Sequence, residues 1–508
     1  MRIYRTLLAI LFVSCLSQPA RPDDGGLKAI LQRLFEATGN YQLKLPAIRV
    51  VETQEHIASY SPEEQAIFIE QKAIHACQKL GPDAEAALAF LIGHELAHCY
   101  QKQSGGATSF MAHGWHADSS PRLEKNADIH GAFNAYLAGY EIREAIPRVI
   151  DILYEEYGLK GKALRGYPLY EERMKTARET QELVEGLMAA FEAANVLTLM
   201  GKHRAAGASY EYILDYYQGR EIYNNFGLSL LLEALNFSAF RLEDWAYPIE
   251  MDAQSRLHRE PLDQGAKSLS LEEQLLRARL LHEGRKAFEK ALLQDPSYSP
   301  ARLNLMLAFC MLEEYQKTIQ LSPALAEPRL DGKYSLADWK ERKQWILAIA
   351  YGASGNSLEK AADIFLFLSR SKNPYTARAA RHNLQVLKGQ DPGIAPATGC
   401  TWLQQENIQP PPPGTPGEWK EISLKNGFQL AYQPGRAGPP IRVWDKKSSL
   451  SITKAALSSV QCRALLQRRR ERLLQTGDYF FNASCGLAIC TKGTGRECEV
   501  FLLNALPE

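Results

Sequence analysis

Residues 93–98 read Gly-His-Glu-Leu-Ala-His and combine residue types that bind and use a divalent metal ion. They lie in an apolar run, 86–99, that predicts a helix. Residues four apart share one face of a helix, so the imidazoles of His94 and His98 can share one zinc ion. Glu95 is rotated about 100° from His94, where its carboxylate can act as catalytic base on a water held by the metal.

A zinc hydrolase needs a third protein ligand and keeps a fourth position open. Residues 99–104 lack the Gly and His of the metzincin extension, which excludes that class. The next predicted helix, 121–140, carries Glu124 and Asp128 one turn apart. On its own such a pair is typical of a solvated helix face. After the histidine pair, we expect Glu124 to be the third ligand of one zinc ion per chain. We expect Asp128 to accept a hydrogen bond from the other ring nitrogen of His94.

The motif HExxH followed by Glu-x-x-Ala-Asp-x-x-Gly, ending at Gly131, resembles the HtpX-like zinc metallopeptidases. This gluzincin family also includes the CAAX prenyl proteases. Within it, the chain is similar to the soluble, exported bacterial members with C-terminal tetratricopeptide repeats. The family's His-Pro-x-x-x-x-Arg segment has its counterpart at 167–173, where Pro168 and Arg173 match and Tyr167 replaces His. The resemblance implies a zinc endopeptidase that acts on protein or unfolded polypeptide substrates in cell-envelope quality control.

Tyr167 and Arg173 have several predicted roles. In some soluble members the His equivalent to Tyr167 occupies the open metal position and holds the enzyme latent, and a protonated tyrosine is a poorer ligand. Tyr167 could instead donate a hydrogen bond to the oxyanion of the tetrahedral intermediate, or only pack a loop. Arg173 could orient substrate or pair with an active-site carboxylate. His113 and His116 lie in a Gly- and Ser-rich loop and are predicted to be exposed rather than metal ligands.

The predicted fold class is an α+β zincin-like metallopeptidase domain, residues 27–187, followed by an α-solenoid. Two segments of the first domain, 48–52 and 66–69, have strand composition. We expect an extended substrate to lie along an edge strand at 66–69. The motif for a tetratricopeptide repeat is clearest over 301–315, within the helical region 188–388. Such repeats bind peptides or proteins on a concave face, although a plain helical bundle is the alternative.

A Pro-rich linker at 389–417 precedes a small β-rich domain, 418–508, to which the sequence assigns no role. Five cysteines in this last part of the chain predict one or two disulfides of undetermined pairing in an exported protein. They are Cys400, Cys462, Cys485, Cys490 and Cys498. Two others, Cys77 and Cys99, fall in predicted helices and are expected to be buried thiols.

Residues 1–20 have the arginines and the short apolar run of a signal peptide, which predicts export. Cleavage near Ser17 or Ala20 is one outcome. Lipidation of Cys15, which follows a segment resembling a bacterial lipoprotein box, is the other, and it would attach the protein to a membrane. With the resemblance, this predicts a periplasmic or envelope-associated protein.

The bulk charge gives no argument for nucleic acid as a partner, since 59 basic and 58 acidic residues leave a formal net charge of +1. The repeat region predicts contacts with envelope protein complexes. It also supports an alternative function, a tetratricopeptide adaptor or chaperone whose peptidase domain is latent.

Overall fold

The computed structural model describes most of the chain in ordered segments. These are residues 24–53, 56–102, 109–112, 121–162, 169–237, 245–251, 255–258, 270–324, 336–390, 418–434, 441–455, 461, 464–465, 474–476, 479–482, 487–492 and 497–505. Several predictions fall outside them, namely the signal segment with Cys15, the loop histidines His113 and His116, Tyr167 and Pro168, most of the Pro-rich linker, and Cys400, Cys462 and Cys485.

The described residues are mostly helical, with fourteen α-helices and three sheets, in agreement with the predicted mixture of helices and strands. Six helices and four strands precede residue 200. The helices are α1 (Asp24–Thr38), α2 (Gln71–Gln78), α3 (Ala84–Lys102), α4 (Pro121–Leu137), α5 (Ala145–Glu156) and α6 (Tyr170–Leu199). The strands are β1 (Ala47–Val51), β2 (His56–Ser61), β3 (Ala66–Glu70) and β4 (Ser109–Ala112).

The four strands form one sheet in the order β1-β3-β2-β4. Strand β3 pairs in parallel with β1 on one side and antiparallel with β2 on the other. The prediction that 66–69 is an edge strand is therefore wrong, because both rows of its backbone groups are already used in strand pairing. The sheet edges among the described strands are β1 and β4.

Helix α3 is buried on all sides over residues 86–99 because this part lies between the sheet and other helices. It contacts β2, β3 and β4 on one side and α1, α4 and α5 on the others. Its apolar side chains Phe90, Leu91, Ile92 and Leu96 are fully buried. A helix that is apolar all round belongs in such a position.

The backbones of α3 and α4 touch at a pair of glycines. A Cβ on Gly93 would lie 2.8 Å from the carbonyl oxygen of Gly131, and a Cβ on Gly131 would lie 2.5 Å from the backbone nitrogen of His94. Real Cβ atoms do not approach other atoms so closely, so neither glycine can gain a side chain unless the helices separate.

The described part of residues 200–390 contains eight helices and one β-hairpin. The helices are α7 (His203–Leu214), α8 (Arg220–Ala234), α9 (Leu271–Gln294), α10 (Ser299–Met311), α11 (Tyr315–Ala324), α12 (Leu336–Ala353), α13 (Leu358–Leu368) and α14 (Pro374–Leu387). The hairpin strands, β5 (Pro248–Met251) and β6 (Ser255–His258), interrupt a region that was expected to be helical throughout.

From α6 to α14, each helix packs on the next along the chain. The even-numbered helices α8, α10, α12 and α14 also contact one another in that order. This arrangement is compatible with stacked helix pairs, and the tetratricopeptide assignment stays a prediction. Helix α6 continues without a break through residue 187, where the sequence predicted a domain boundary.

The last part of the chain forms an eight-stranded antiparallel sheet in the order β11-β12-β13-β14-β10-β9-β8-β7. Its strands are β7 (Lys420–Ser423), β8 (Gln429–Tyr432), β9 (Ile441–Trp444), β10 (Ser449–Ala455), β11 (Leu474–Thr476), β12 (Tyr479–Asn482), β13 (Leu487–Lys492) and β14 (Glu497–Ala505). The expectation of strands here is confirmed. The sheet lies against α6, where the Tyr432 hydroxyl donates to the Glu182 carbonyl at 3.2 Å.

Cys77 and Cys99 are buried free thiols, as predicted. Of the C-terminal cysteines, the structure describes only the strand positions of Cys490 and Cys498, in β13 and β14. Among the helices that the structure describes, none combines the length and apolarity needed to cross a bilayer.

The glycine contact predicts opposite effects for two glycine-to-alanine substitutions in helices. Gly131→Ala should lower the free energy of unfolding by about 1–3 kcal/mol, because its methyl group has no space against His94. Gly26→Ala in α1, where a Cβ would meet nothing within 4 Å, should raise it by up to about 1 kcal/mol. Differential scanning calorimetry of both variants checks this. If Gly131→Ala unfolds at the same temperature as Gly26→Ala, the close approach is disproved.

Candidate metal centre

Helices α3 and α4 bring the three predicted metal ligands together. The Nε2 atoms of His94 and His98 face each other at 3.0 Å, and both side chains are fully buried. Glu124 approaches from α4, with Oε2 3.4 Å from Nε2 of His94 and Oε1 3.5 Å from Nε2 of His98. The three candidate ligand atoms lie within 4.8 Å of one another.

A chain of hydrogen bonds fixes the orientation of the His94 ring. Its Nδ1 lies 2.9 Å from Oδ1 of Asp128, one turn after Glu124 on α4. Arg173, near the start of α6, donates two hydrogen bonds to the same carboxylate, at 2.6 and 3.0 Å. A carboxylate only accepts hydrogen bonds when ionised, so Nδ1 of His94 is the donor and its Nε2 is directed to the ligand cluster. Of the roles predicted for Arg173, the structure shows the pairing with a carboxylate.

Gln101, which is not among the site residues predicted from the sequence, does the same for His98. Its Oε1 lies 2.8 Å from Nδ1 of His98, while its Nε2 donates to the carbonyl oxygen of Leu123 at 3.0 Å. The bond to Leu123 fixes which end of the amide faces His98, so Nδ1 of His98 must donate. Leu123 immediately precedes Glu124, and Gln101 therefore joins one ligand to the backbone beside another. The available sequence signal was a glutamine three residues after His98, on the same side of the helix.

The protonation pattern of the two imidazoles calls for a cation between them. When both rings are neutral with the hydrogen on Nδ1, each Nε2 presents a lone pair, and two lone pairs 3.0 Å apart repel each other unless a metal ion or a proton lies between them. Oε1 of Glu124 is also buried, and Nε2 of His98, at 3.5 Å, is its ion-pair partner. One divalent ion would satisfy all three atoms. Two imidazoles and a carboxylate are a ligand set that suits zinc and several other transition metals.

Two carboxylates of the site, Glu124 and Asp128, are held in their ionised form. Burial alone would raise the pKa of Glu124, but hydrogen bonds and charge from His94 and His98 lower it to about 2. Burial also opposes ionisation of Asp128, yet the charge of Arg173 and the bond to His94 hold the pKa of that carboxyl well below its usual range. A metal-free site with neutral imidazoles therefore has two carboxylate charges, Glu124 and Asp128, against the single positive charge of Arg173.

That negative charge acts on His94. Burial alone would lower the pKa of His94, but hydrogen bonds and charge from Asp128 and Glu124 raise it to about 9. Without a metal, the imidazole thus binds a proton at neutral pH, and this proton occupies the place of one metal–ligand bond.

Glu95, the predicted catalytic base, is fully buried next to His94 in α3. The structure thus places six of the predicted site residues on three helices, of which α4 contacts both α3 and α6. Tyr167 lies outside the described residues. The chain matches no protein-family model and no curated protein, so what the site can do follows from its own geometry.

The raised pKa of His94 predicts that metal binding depends on pH. Below about pH 9 a metal ion must displace the proton of His94. The dissociation constant of the metal should therefore fall about tenfold for each unit by which the pH rises between roughly pH 7 and 9. It should level off above that range, and about one proton should leave per ion bound at pH 7. Competition with a chromophoric chelator, calibrated at each pH, measures the first effect, and titration in weak buffer measures the second. A dissociation constant that does not change between pH 7 and 9 would contradict the proposed proton competition.

Gln101 predicts a loss of metal affinity on substitution. Gln101→Met keeps the size of the side chain but removes both hydrogen bonds, so metal affinity should fall about 10- to 100-fold. The matched control is Gln78→Met, at the exposed end of α2, which should leave affinity unchanged. The imidazole ¹⁵N shifts of His98 give an independent measurement, because they report which ring nitrogen carries hydrogen. Wild-type affinity and tautomer in Gln101→Met would show that the glutamine has no positioning role.

Proposed function

We propose that this protein is a zinc-dependent endopeptidase that hydrolyses peptide bonds in extended or unfolded polypeptides. The observation that carries the proposal is the cluster of His94, His98 and Glu124. Glu95 is buried next to His94 in α3, the helix that also carries His98. A carboxylate placed next to a two-histidine, one-carboxylate metal site is the arrangement that metal-assisted hydrolysis requires.

The number of ligands favours a catalytic site over a structural one. Closed structural zinc sites have four protein ligands, whereas catalytic sites have three and leave a position for water or substrate. The cluster contains three residues, and no fourth His, Cys, Asp or Glu from the described part of the chain joins it. When bound there, zinc would act as a Lewis acid that makes a water molecule acidic and polarises the scissile carbonyl group.

The chain's own residues would supply proton transfer and positioning. The Glu95 carboxylate takes the proton from the attacking water and passes it to the amine that leaves. Asp128 and Arg173 hold the ring of His94, and Gln101 holds that of His98, so that neither ligand has to reorient during the reaction.

Strand β4 is our proposed location for the substrate, in place of 66–69. It pairs with β2 on one side, is a sheet edge among the described strands on the other, and packs against α3. The opposite edge, β1, packs against α1 instead. An extended polypeptide can add to a free edge through main-chain hydrogen bonds, which need no particular side chains. Tyr167 remains our candidate donor to the oxyanion.

The biological setting follows from the family resemblance and the N-terminal segment. We propose an exported protein of the bacterial periplasm or envelope, possessing a lipid anchor if Cys15 is modified, with misassembled envelope proteins as substrates. The adaptor or chaperone function differs from this proposal in one measurable respect, the turnover of substrate by the metal-loaded protein.

Substitution of Glu95 tests the proposal directly. Glu95→Gln should keep about one zinc ion per chain, because the three ligands are unchanged. It should slow cleavage of an unfolded protein such as casein by about 10²- to 10⁴-fold, because the proton acceptor is lost. Metal content by mass spectrometry and the release of peptides are the two measurements.

Glu85→Gln is the matched control, since Glu85 lies at the exposed start of the same helix. It should retain both zinc and activity. A wild-type protein that contains stoichiometric zinc and cleaves no unfolded substrate would favour the adaptor, and full activity in Glu95→Gln would exclude Glu95 as the base.

A further inference from the structure

The connection between α8 and α9, residues 235–270, is far longer than the two helices require. They pack directly on each other, and a Cβ on Gly227 of α8 would lie 2.9 Å from the carbonyl oxygen of Gly284 in α9. Helices in such contact are usually joined by about 2–8 residues. Connections of this length are usually either functional or linker segments.

Part of this connection lies across the even-numbered helices. Strand β5 contacts α8, α10 and α12, and Ala246, just before it, reaches Asn383 of α14. The segment 245–248 is buried, although it belongs to no helix. It thus occupies the face that these four helices form together.

Two side chains hold the backbone of this segment at Ala246. The Oδ1 atom of Asn383 accepts a hydrogen bond from the Ala246 N–H at 2.7 Å, and its Nδ2 donates to the Ala246 carbonyl at 3.0 Å. The indole Nε1 of Trp345 donates to the same carbonyl at 2.8 Å. Asn383 and Trp345 are both fully buried. Since every residue except proline carries these two main-chain groups, the contacts recognise an extended backbone rather than a particular side chain.

The flanking side chains add selectivity for shape. Trp245 stacks on Phe365 of α13, with ring centroids 5.8 Å apart and planes 24° apart. It also lies against Gly352 of α12, where a Cβ would be 3.0 Å from the indole Cη2. Ala246 and Tyr247 are buried as well, so the middle position accepts a small residue between two aromatic ones.

We propose that these helices form a binding groove for an extended polypeptide segment with an aromatic–small–aromatic sequence, and that residues 245–247 are its resident intramolecular ligand. The contacts to main-chain atoms and the fitted space for an aromatic ring are what a peptide-binding groove provides. The tether gives the resident segment a high effective concentration, so an external segment must displace it to bind. The proposal is independent of the metal centre, because none of its residues belongs to that site.

Ala246→Glu should open the groove without altering its walls, because a carboxylate does not fit the buried position of Ala246. The probe is a fluorescent peptide with the sequence of residues 244–250. Wild-type protein should not bind the peptide, and Ala246→Glu should bind it with a micromolar dissociation constant. Adding Asn383→Ala should weaken binding at least tenfold, whereas adding Asn356→Ala, at an exposed position in a nearby turn, should not. A peptide with Glu in place of the central Ala should not bind.

Failure of folded Ala246→Glu to bind the peptide would overturn the proposal and make 245–248 an ordinary part of the core. Hydrogen exchange on the wild-type protein decides the question even if that variant does not fold. A displaceable segment opens locally, so the Ala246 amide should exchange much faster than the central amides of α10 and α12. Exchange of Ala246 at the same rate as those helices would overturn the proposal equally.

Discussion

The contact of two helix backbones at Gly93 and Gly131 is the constraint on which the metal centre depends. Asp128 and Glu124 lie about one and two turns before Gly131 on α4, on the same face. When Gly131 touches the backbone of His94, this face is pressed against α3, and both carboxylates come within reach of the imidazole. A side chain at either glycine would move the α4 face that carries Glu124 and Asp128 away from α3.

Close packing also explains why charged groups can be buried here. An isolated ionised carboxylate inside a protein is costly, but Asp128 is paired through two hydrogen bonds with Arg173 and a third with His94. Arg173 comes from α6, so three helices have to be in place before the site is electrostatically balanced. The charges that orient the ligands thus also link correct folding of α6 to metal binding.

Local geometry was predictable from the sequence, and long-range pairing was not. His94 and His98 follow from spacing within one helix, and Glu124 follows from a motif one helix later. The edge strand was predicted wrongly because the composition of 66–69 indicates a strand but not its neighbours, and β1, its parallel partner, is placed by tertiary contacts. The spacing of Gln101, three residues after His98, was too weak a signal to identify it, because exposed and ligand-holding glutamines look alike in a sequence.

Contacts run without a break from the helices α8–α14 to the metal centre. The hairpin that follows Ala246 touches β11, in the C-terminal sheet, and this sheet lies on α6, which also carries Arg173. Contact alone does not couple two sites, since free energy passes between them only if an element on the path has two arrangements. The segment at Ala246 is the element that would have two, bound in the groove or displaced from it. If its displacement shifts the hairpin, the C-terminal sheet is the first structure to respond, which gives that otherwise unassigned domain a physical connection to Asp128 and His94.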